Sequence, residues 1–203
     1  MKLNLPNKLT VLRLILVPIF VVIMMVSDAV WASVVGLVLF IAASLTDMLD
    51  GKIARKHNLV TDFGKFLDPL ADKFMVIGAM MVILYRATVT DTPNALFSNL
   101  FFWAVLVVIF RELAVTSMRL VVSGSSGIVV AANMLGKIKT CTQIACVIAC
   151  IAEPIFYENI DALNGMMKIL PLSIVTTALM TVFTLWSGIN YIVSYWKYLD
   201  PQK

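Results

Sequence analysis

Charge is scarce in this sequence. Asp, Glu, Lys and Arg make up 14% of its 203 residues, against 61% hydrophobic residues. Soluble domains usually carry about 25% charged and about 45–50% apolar residues. The shortage excludes an ordinary soluble globule, because so much apolar surface must face something other than water. Several runs approach the roughly 20 residues needed to cross a bilayer, so lipid is the expected surrounding. Cysteine is nearly as rare. Cys141, Cys146 and Cys150 share one apolar segment, make no CxxC pair and are odd in number. They read as small buried apolar residues and not as a disulfide or metal framework. Histidine occurs once, at His57 in a turn, where it reads as solvated. No internal repeat or low-complexity tail is visible. No small-residue cleavage site follows the first apolar run, so no removable signal peptide is expected. The chain is too short to add a soluble domain to such a membrane part, and residues 1–203 read as one membrane domain.

What is present is a series of six hydrophobic segments, at about 9–26, 31–55, 63–86, 97–122, 132–152 and 168–196. The breaks between them are Ser27-Asp28, Lys56 to Asp62, Thr88 to Asn94, Ser123 to Gly127, and Glu153 to Gly165 with Pro154. All can serve as helix–helix turns. The expected fold class is all-α, an integral membrane bundle of six transmembrane helices. Orientation follows from the basic residues. With the N-terminus inside, only Arg86 and Lys168 of the 16 Lys and Arg residues fall on the outer side. Such a bias places both termini in the cytoplasm. Trp31, Trp103, Trp186, Trp196 and the C-terminal tyrosines suit interface anchoring and core packing equally.

The informative stretch runs from Asp47 to Asp72. Four of its Asp residues, Asp47, Asp50, Asp68 and Asp72, sit in or beside membrane spans. A carboxylate there costs at least about 2.5–3.5 kcal/mol on insertion scales, and four together repel unless a cation lies between them. Oxygen ligands suit hard divalent ions such as Mg2+ or Mn2+. Asp47 and Asp50 are spaced i, i+3 and Asp68 and Asp72 i, i+4, so each pair lies on one helix face. The turn between them returns both helix ends to one side, which makes a two-metal cage plausible. Gly51, Ala54 and Gly64 leave room beside the acids. A helical Gly costs about 1 kcal/mol relative to Ala, so it needs a reason. Close helix–helix contact and close approach of a bulky ligand both supply one. Asp62 reads as a turn or N-cap residue. Pro69 either opens the third helix or kinks it.

This stretch resembles the signature of the CDP-alcohol phosphotransferase family, D-x2-D-G-x2-A-R-x8-G-x3-D-x3-D. Asp47, Asp50, Gly51, Ala54, Arg55, Gly64, Asp68 and Asp72 match every fixed position and every gap. The opening NLPNKLTVLRLILVP, the KFLDPLADK stretch, Arg111-Glu112 with Arg119, and Gly136 to Thr140 are similar to the phosphatidylglycerophosphate synthase branch of that family. The tail after about residue 150 adds only hydrophobicity to the resemblance. The resemblance implies six transmembrane helices around a polar cavity open to the cytoplasm, often in a homodimer; the absence of a transit-type N-terminus and the compact length suggest a bacterial cell membrane. It implies transfer of a phosphatidyl group from CDP-diacylglycerol to an alcohol, here sn-glycerol 3-phosphate, with release of CMP. Membrane lipids are further partners, and no nucleic acid is expected.

Residue by residue, the resemblance makes Asp47, Asp50 and Asp68 ligands of two divalent ions, Mg2+ or Mn2+. Asp72 becomes the general base, a metal ligand, or both. Gly51, Ala54 and Gly64 line the cytidine pocket, and Arg55 pairs with an acid or a phosphate. Asn7, Thr10 and Arg13 contact the nucleotide, unless they only begin an amphipathic interfacial helix. Arg111, Arg119, Lys137 and Lys139 receive the acceptor phosphate, since intramembrane cations mark function and Arg binds phosphate bidentately. Snorkelling to lipid headgroups is the competing role, above all for Lys139, Lys65 and Lys73. Glu112 is a partner for a neighbouring Arg. Two other readings stand beside this one. The first is the same chemistry on phosphatidylglycerol or inositol phosphate. The second is a divalent cation transporter, whose sites usually lie near the midplane within repeats; here the acids crowd one end.

Overall fold

The computed structural model describes residues 4–56, 61–89, 94–126, 134–160 and 169–196, with the side chains of 48–56, 65, 125 and 126 outside the description. Six helices account for almost all of it. They are α1 (Leu5–Val26), α2 (Val30–Lys56), α3 (Asp62–Val89), α4 (Ala95–Ser126), α5 (Met134–Asn159) and α6 (Pro171–Tyr195). Five of them, all but α3, are long and apolar enough to cross a membrane. In α3 the apolar run is closed off by Asp68, Asp72 and Lys73 at one end and Arg86 at the other.

Capping explains where the helices begin. Asn4 accepts from the Asn7 backbone N–H at 3.1 Å, so α1 starts before the apolar run, with Pro6 in its first turn. Pro fits there because its missing N–H would have had no helical partner. Thr61 accepts from Gly64 N at 3.0 Å and is the capping side chain of α3. Asp62 is the first helical residue and not the cap. Asn94 accepts from Phe97 N at 3.0 Å and starts α4.

Two expected breaks are helical instead. Most of Ser123 to Gly127 belongs to α4, and α5 continues through Pro154 to Asn159. Pro69 likewise lies inside α3 and does not open it. Membrane helices tolerate such prolines because neighbouring groups can re-satisfy the freed carbonyl. Glu153, expected in a turn, is 3% exposed. It caps the start of α6 from the neighbouring helix. Its carboxylate accepts from Leu172 N at 2.8 Å, from Ser173 N at 2.7 Å and from the Ser173 hydroxyl. Four free N–H groups begin every helix, and here a buried anion satisfies two of them.

α1 lies against α2 and α3, and α6 against α4 and α5; α2 contacts α5, and α3 contacts α4 and α5, which joins the two groups. Phe20, Met24, Phe40, Met75, Met80, Phe101, Val108, Cys146 and Met180 form the shared core. In lipid, burial of apolar surface is a weak glue between helices, and close packing and polar contacts replace it. The buried face of α6 shows this directly: Ser173, Thr177, Met180, Thr184, Ser187, Gly188 and Tyr191 recur at helical spacing. A Cβ added at Gly188 would stand 3.0 Å from Arg111 Cγ, so α6 approaches α4 closely there. The four tryptophans are all exposed, which removes core packing as their role. Cys146 and Cys150 are buried as expected, but Cys141 is exposed.

Candidate active site

Alternate helices run in opposite directions, so one end of the bundle collects the start of α1, α3 and α5 and the end of α2, α4 and α6. Arg13, Asp47, Asp68, Asp72, Arg111, Glu112, Arg119, Lys137 and Lys139 lie toward that end, whereas Asp28, Arg86, Glu153 and Glu158 lie at the other. On the α1–α3 side, Arg13 is 0% exposed and pairs directly with Asp47. Thr10 donates to Asp68 Oδ1 at 2.7 Å. Asn7 Nδ2 donates to Thr61 Oγ1 at 3.0 Å, beside Gly64. A Cβ at Gly64 would come 2.9 Å from Asn7 Oδ1, so the glycine is what lets α3 meet this side chain. Asn7, Thr10 and Arg13 are all buried. They face protein and not the membrane interface: Thr10 and Arg13 bond the carboxylates of α3 and α2, and Asn7 bonds the Thr61 cap of α3.

The α4–α6 side is cationic. Glu112 Oε1 accepts from Lys139 Nζ and, at 3.0 Å, from Arg111 Nη1. Arg111 also donates to Ser187 Oγ at 2.7 Å. Arg119 donates to the Tyr191 hydroxyl at 2.7 Å, and its guanidinium lies 5.1 Å from the Tyr191 ring centre. Arg111 faces the same ring from 5.7 Å. Lys139 is buried, which rules out snorkelling for it. Lys137 and Arg119 are exposed. Lys73 is partly buried and reaches no further than the Pro69 carbonyl, at 3.5 Å.

Asp72 stands between the two sides. Asp47 and Arg13 from one side, and Lys139 and Glu112 from the other, are all close enough to act on its charge. Its Oδ1 is buried with no hydrogen-bond partner among the described residues, which is costly for a carboxylate oxygen unless a ligand or ion completes it. The donor set is oxygen only, as hard divalent ions require. Among the described residues, no three acidic, His or Cys side chains already form a metal cluster. The side chains of Asp50, Gly51, Ala54 and Arg55 lie outside the described residues, although α2 carries their backbone. His57 lies outside them altogether.

Residues 3–189 match the CDP-alcohol phosphatidyltransferase family. The chain belongs to that family. Among its relatives is the CDP-diacylglycerol–glycerol-3-phosphate 3-phosphatidyltransferase of Bacillus subtilis (strain 168), 41% identical over 97% of each chain. The protein of the same name from Yersinia enterocolitica is 32% identical, over 99% of this chain and 100% of its own. The one from Rickettsia bellii is 38% identical over 57% of this chain and 58% of its own.

Family membership was legible in α2 and α3, yet part of the site came from elsewhere. Ser187 and Tyr191 of α6 hold Arg111 and Arg119 in place. The tail that contains them reads only as apolar in a linear scan. The usable signal was the small or polar residue every three to four positions along α6. That spacing marks a helix face turned toward protein or a polar site.

Proposed function

We propose that this member of the family transfers the phosphatidyl group of CDP-diacylglycerol to sn-glycerol 3-phosphate, giving phosphatidylglycerophosphate and CMP. The observation that carries the reading is the position of Asp72. Its unpartnered oxygen lies between a carboxylate side and a cationic side, where a proton acceptor would meet an anionic nucleophile. Relatives covering the full chain carry names for this reaction.

In the proposed reaction a hydroxyl of sn-glycerol 3-phosphate attacks the phosphorus that bears diacylglycerol. The new P–O bond forms, the bond to CMP breaks with its electrons leaving on CMP, and the hydroxyl proton passes to the Asp72 carboxylate. Arg111, Arg119, Lys137 and Lys139 receive the acceptor phosphate, since two anions must be brought together. Asn7, Thr10, Gly51, Ala54, Arg55 and Gly64 surround the nucleotide. Two Mg2+ or Mn2+ ions held by Asp47, Asp50, Asp68 and Asp72 would supply charge stabilisation to the diphosphate and the leaving CMP oxygen. Thr10 and Arg13 orient Asp68 and Asp47 for that duty, as partners of ligating carboxylates commonly do.

The proposed setting is a cell membrane crossed six times, with the site in a cavity open to the cytoplasm. Its support is the gathering of basic residues at the site end and the apolar residues exposed on the helix faces, such as Phe66, Phe102, Phe110, Leu120 and Val193. A homodimer is carried over from the sequence resemblance alone.

The test is CMP release by the purified chain in detergent, with CDP-diacylglycerol and a series of acceptors. Glycerol 3-phosphate should drive release, and a chelator or Asp72→Asn should reduce it by at least about 100-fold. Release driven only by phosphatidylglycerol or inositol phosphate would move the acceptor assignment. Full activity in Asp72→Asn would remove the base.

A further inference from the structure

Next to the charged residues, α5 and α6 carry two neutral polar groups that the proposed reaction has not used. Gln143 is 1% exposed and Thr184 0%. Gln143 Nε2 and Thr184 Oγ1 are both buried with no hydrogen-bond partner among the described residues. Gln143 lies one turn beyond Lys139 on α5, and Thr184 one turn before Ser187 and Gly188 on α6. The two helices pack antiparallel, with Cys146 opposite Thr177 and Glu153 opposite Ser173. Carried toward the site end, that register sets Thr184 level with the stretch from Lys139 to Gln143. Arg111, which bonds Ser187, is level with them on α4 and has a buried, unpartnered Nε of its own.

Thr184 departs from its helix. Thr176, Thr177 and Thr181 all return their hydroxyls to a backbone carbonyl of the preceding turn. That local bond is the ordinary way for a Thr hydroxyl to be satisfied in an apolar helix. Thr184 does not make it, and Gln143 makes no bond through its amide nitrogen. A buried polar group without a partner costs stability unless a ligand completes it. Both groups are neutral, whereas Arg111 and Lys139 nearby already match a phosphate. Neutral donors suit a hydroxyl.

We propose that Gln143 and Thr184 hydrogen-bond the hydroxyl of the phosphorylated acceptor that does not react. They thereby set a preference for a polyol phosphate over a simple alkanol phosphate. The inference rests on the proposed transferase reading and assigns a specificity role within it. The reacting hydroxyl is left to Asp72 and the phosphate to the cations of α4 and α5.

The experiment compares sn-glycerol 3-phosphate with 3-hydroxypropyl phosphate, which keeps the phosphate and a primary hydroxyl and lacks the middle one. CMP release by the full chain in detergent gives kcat/KM for each. The wild type should favour glycerol 3-phosphate by about tenfold or more, because a site built to hydrogen-bond a hydroxyl is left unpaired by the analogue lacking it. Gln143→Met and Thr184→Val should each cut that preference at least threefold, with the KM for CDP-diacylglycerol unchanged. Thr184→Ser, which keeps the hydroxyl, should retain the preference. Equal use of both acceptors by the wild type overturns the inference, and this comparison decides alone should a variant not fold. An undiminished preference in both folded variants overturns it as well. In either case CMP release from the wild type would leave the transferase reading standing. No release with any acceptor would end both.

Discussion

Replacing Glu112 by Gln keeps the shape of the side chain and removes its charge. In the native site that charge is shared between Lys139 and Arg111, and none of the three side chains is more than 12% exposed. Removing one partner of a buried ion pair typically costs about 3–5 kcal/mol, because the remaining charges are left uncompensated. At roughly 2–4 °C per kcal/mol for a chain of this length, Tm should fall by about 6–20 °C. The proposed function adds a second, sharper expectation. If Arg111 and Lys139 receive the acceptor phosphate, sn-glycerol 3-phosphate supplies the anion that the variant lacks. A ligand at 100 times its Kd stabilises any binder by about 2.7 kcal/mol. In Glu112→Gln the phosphate should add to that by relieving the unpaired cations. The ligand-induced rise in Tm should then exceed the wild-type rise by about 5 °C or more. A thermal melt followed by tryptophan fluorescence in detergent measures both shifts, with glycerol as the uncharged control. Equal shifts in variant and wild type would refute the reasoning. The trio would then be a structural ion cluster, and the acceptor phosphate would bind elsewhere.

Two further substitutions separate the ends of the molecule. Gly64→Ala places a Cβ 2.9 Å from Asn7 Oδ1 and 3.3 Å from Thr61 Oγ1. Overpacking of this kind costs about 1–3 kcal/mol, and it should appear as a raised KM for CDP-diacylglycerol with the KM for glycerol 3-phosphate unchanged; the opposite pattern would put Gly64 outside the nucleotide half. Glu153→Ala removes the acceptor for Leu172 N, Ser173 N and the Ser173 hydroxyl. Hydrogen bonds to charged groups are worth about 1.5–3 kcal/mol each, so Tm should drop by about 5 °C or more. CMP release per folded molecule should stay within about twofold, because Glu153 lies at the end of α5 away from the site; a larger loss of activity in folded protein would show the two ends to be coupled.

Composition together with apolar runs of about 20 residues pointed to helices in an apolar surrounding, because backbone groups in lipid must be satisfied and a run of that length does so within itself. The spacing of Asp47, Asp50, Asp68 and Asp72 likewise points to a candidate site on α2 and α3. Local pattern could not set the helix ends. Pro154 and the stretch from Ser123 to Ser126 look like breaks in a linear scan, yet both lie in helices. A single unfavourable residue costs only about 1 kcal/mol for Gly, too little to end a long helix by itself, and at Pro154 neighbouring groups can re-satisfy the freed carbonyl. The pairing of Glu112 with the neighbouring Arg111 was legible in the sequence, but most other partners of the charges were beyond a linear reading. That Arg13 serves Asp47, that Glu112 also holds Lys139, and that Glu153 caps a helix it does not belong to are contacts between elements distant in the chain. The role of α6 is the plainest case. Its residues carry no charge and so little signal in sequence, but its small polar face packs where the cations need holding. Periodicity fixes which side of a helix is apolar; which helix that side meets is decided only when all six pack together.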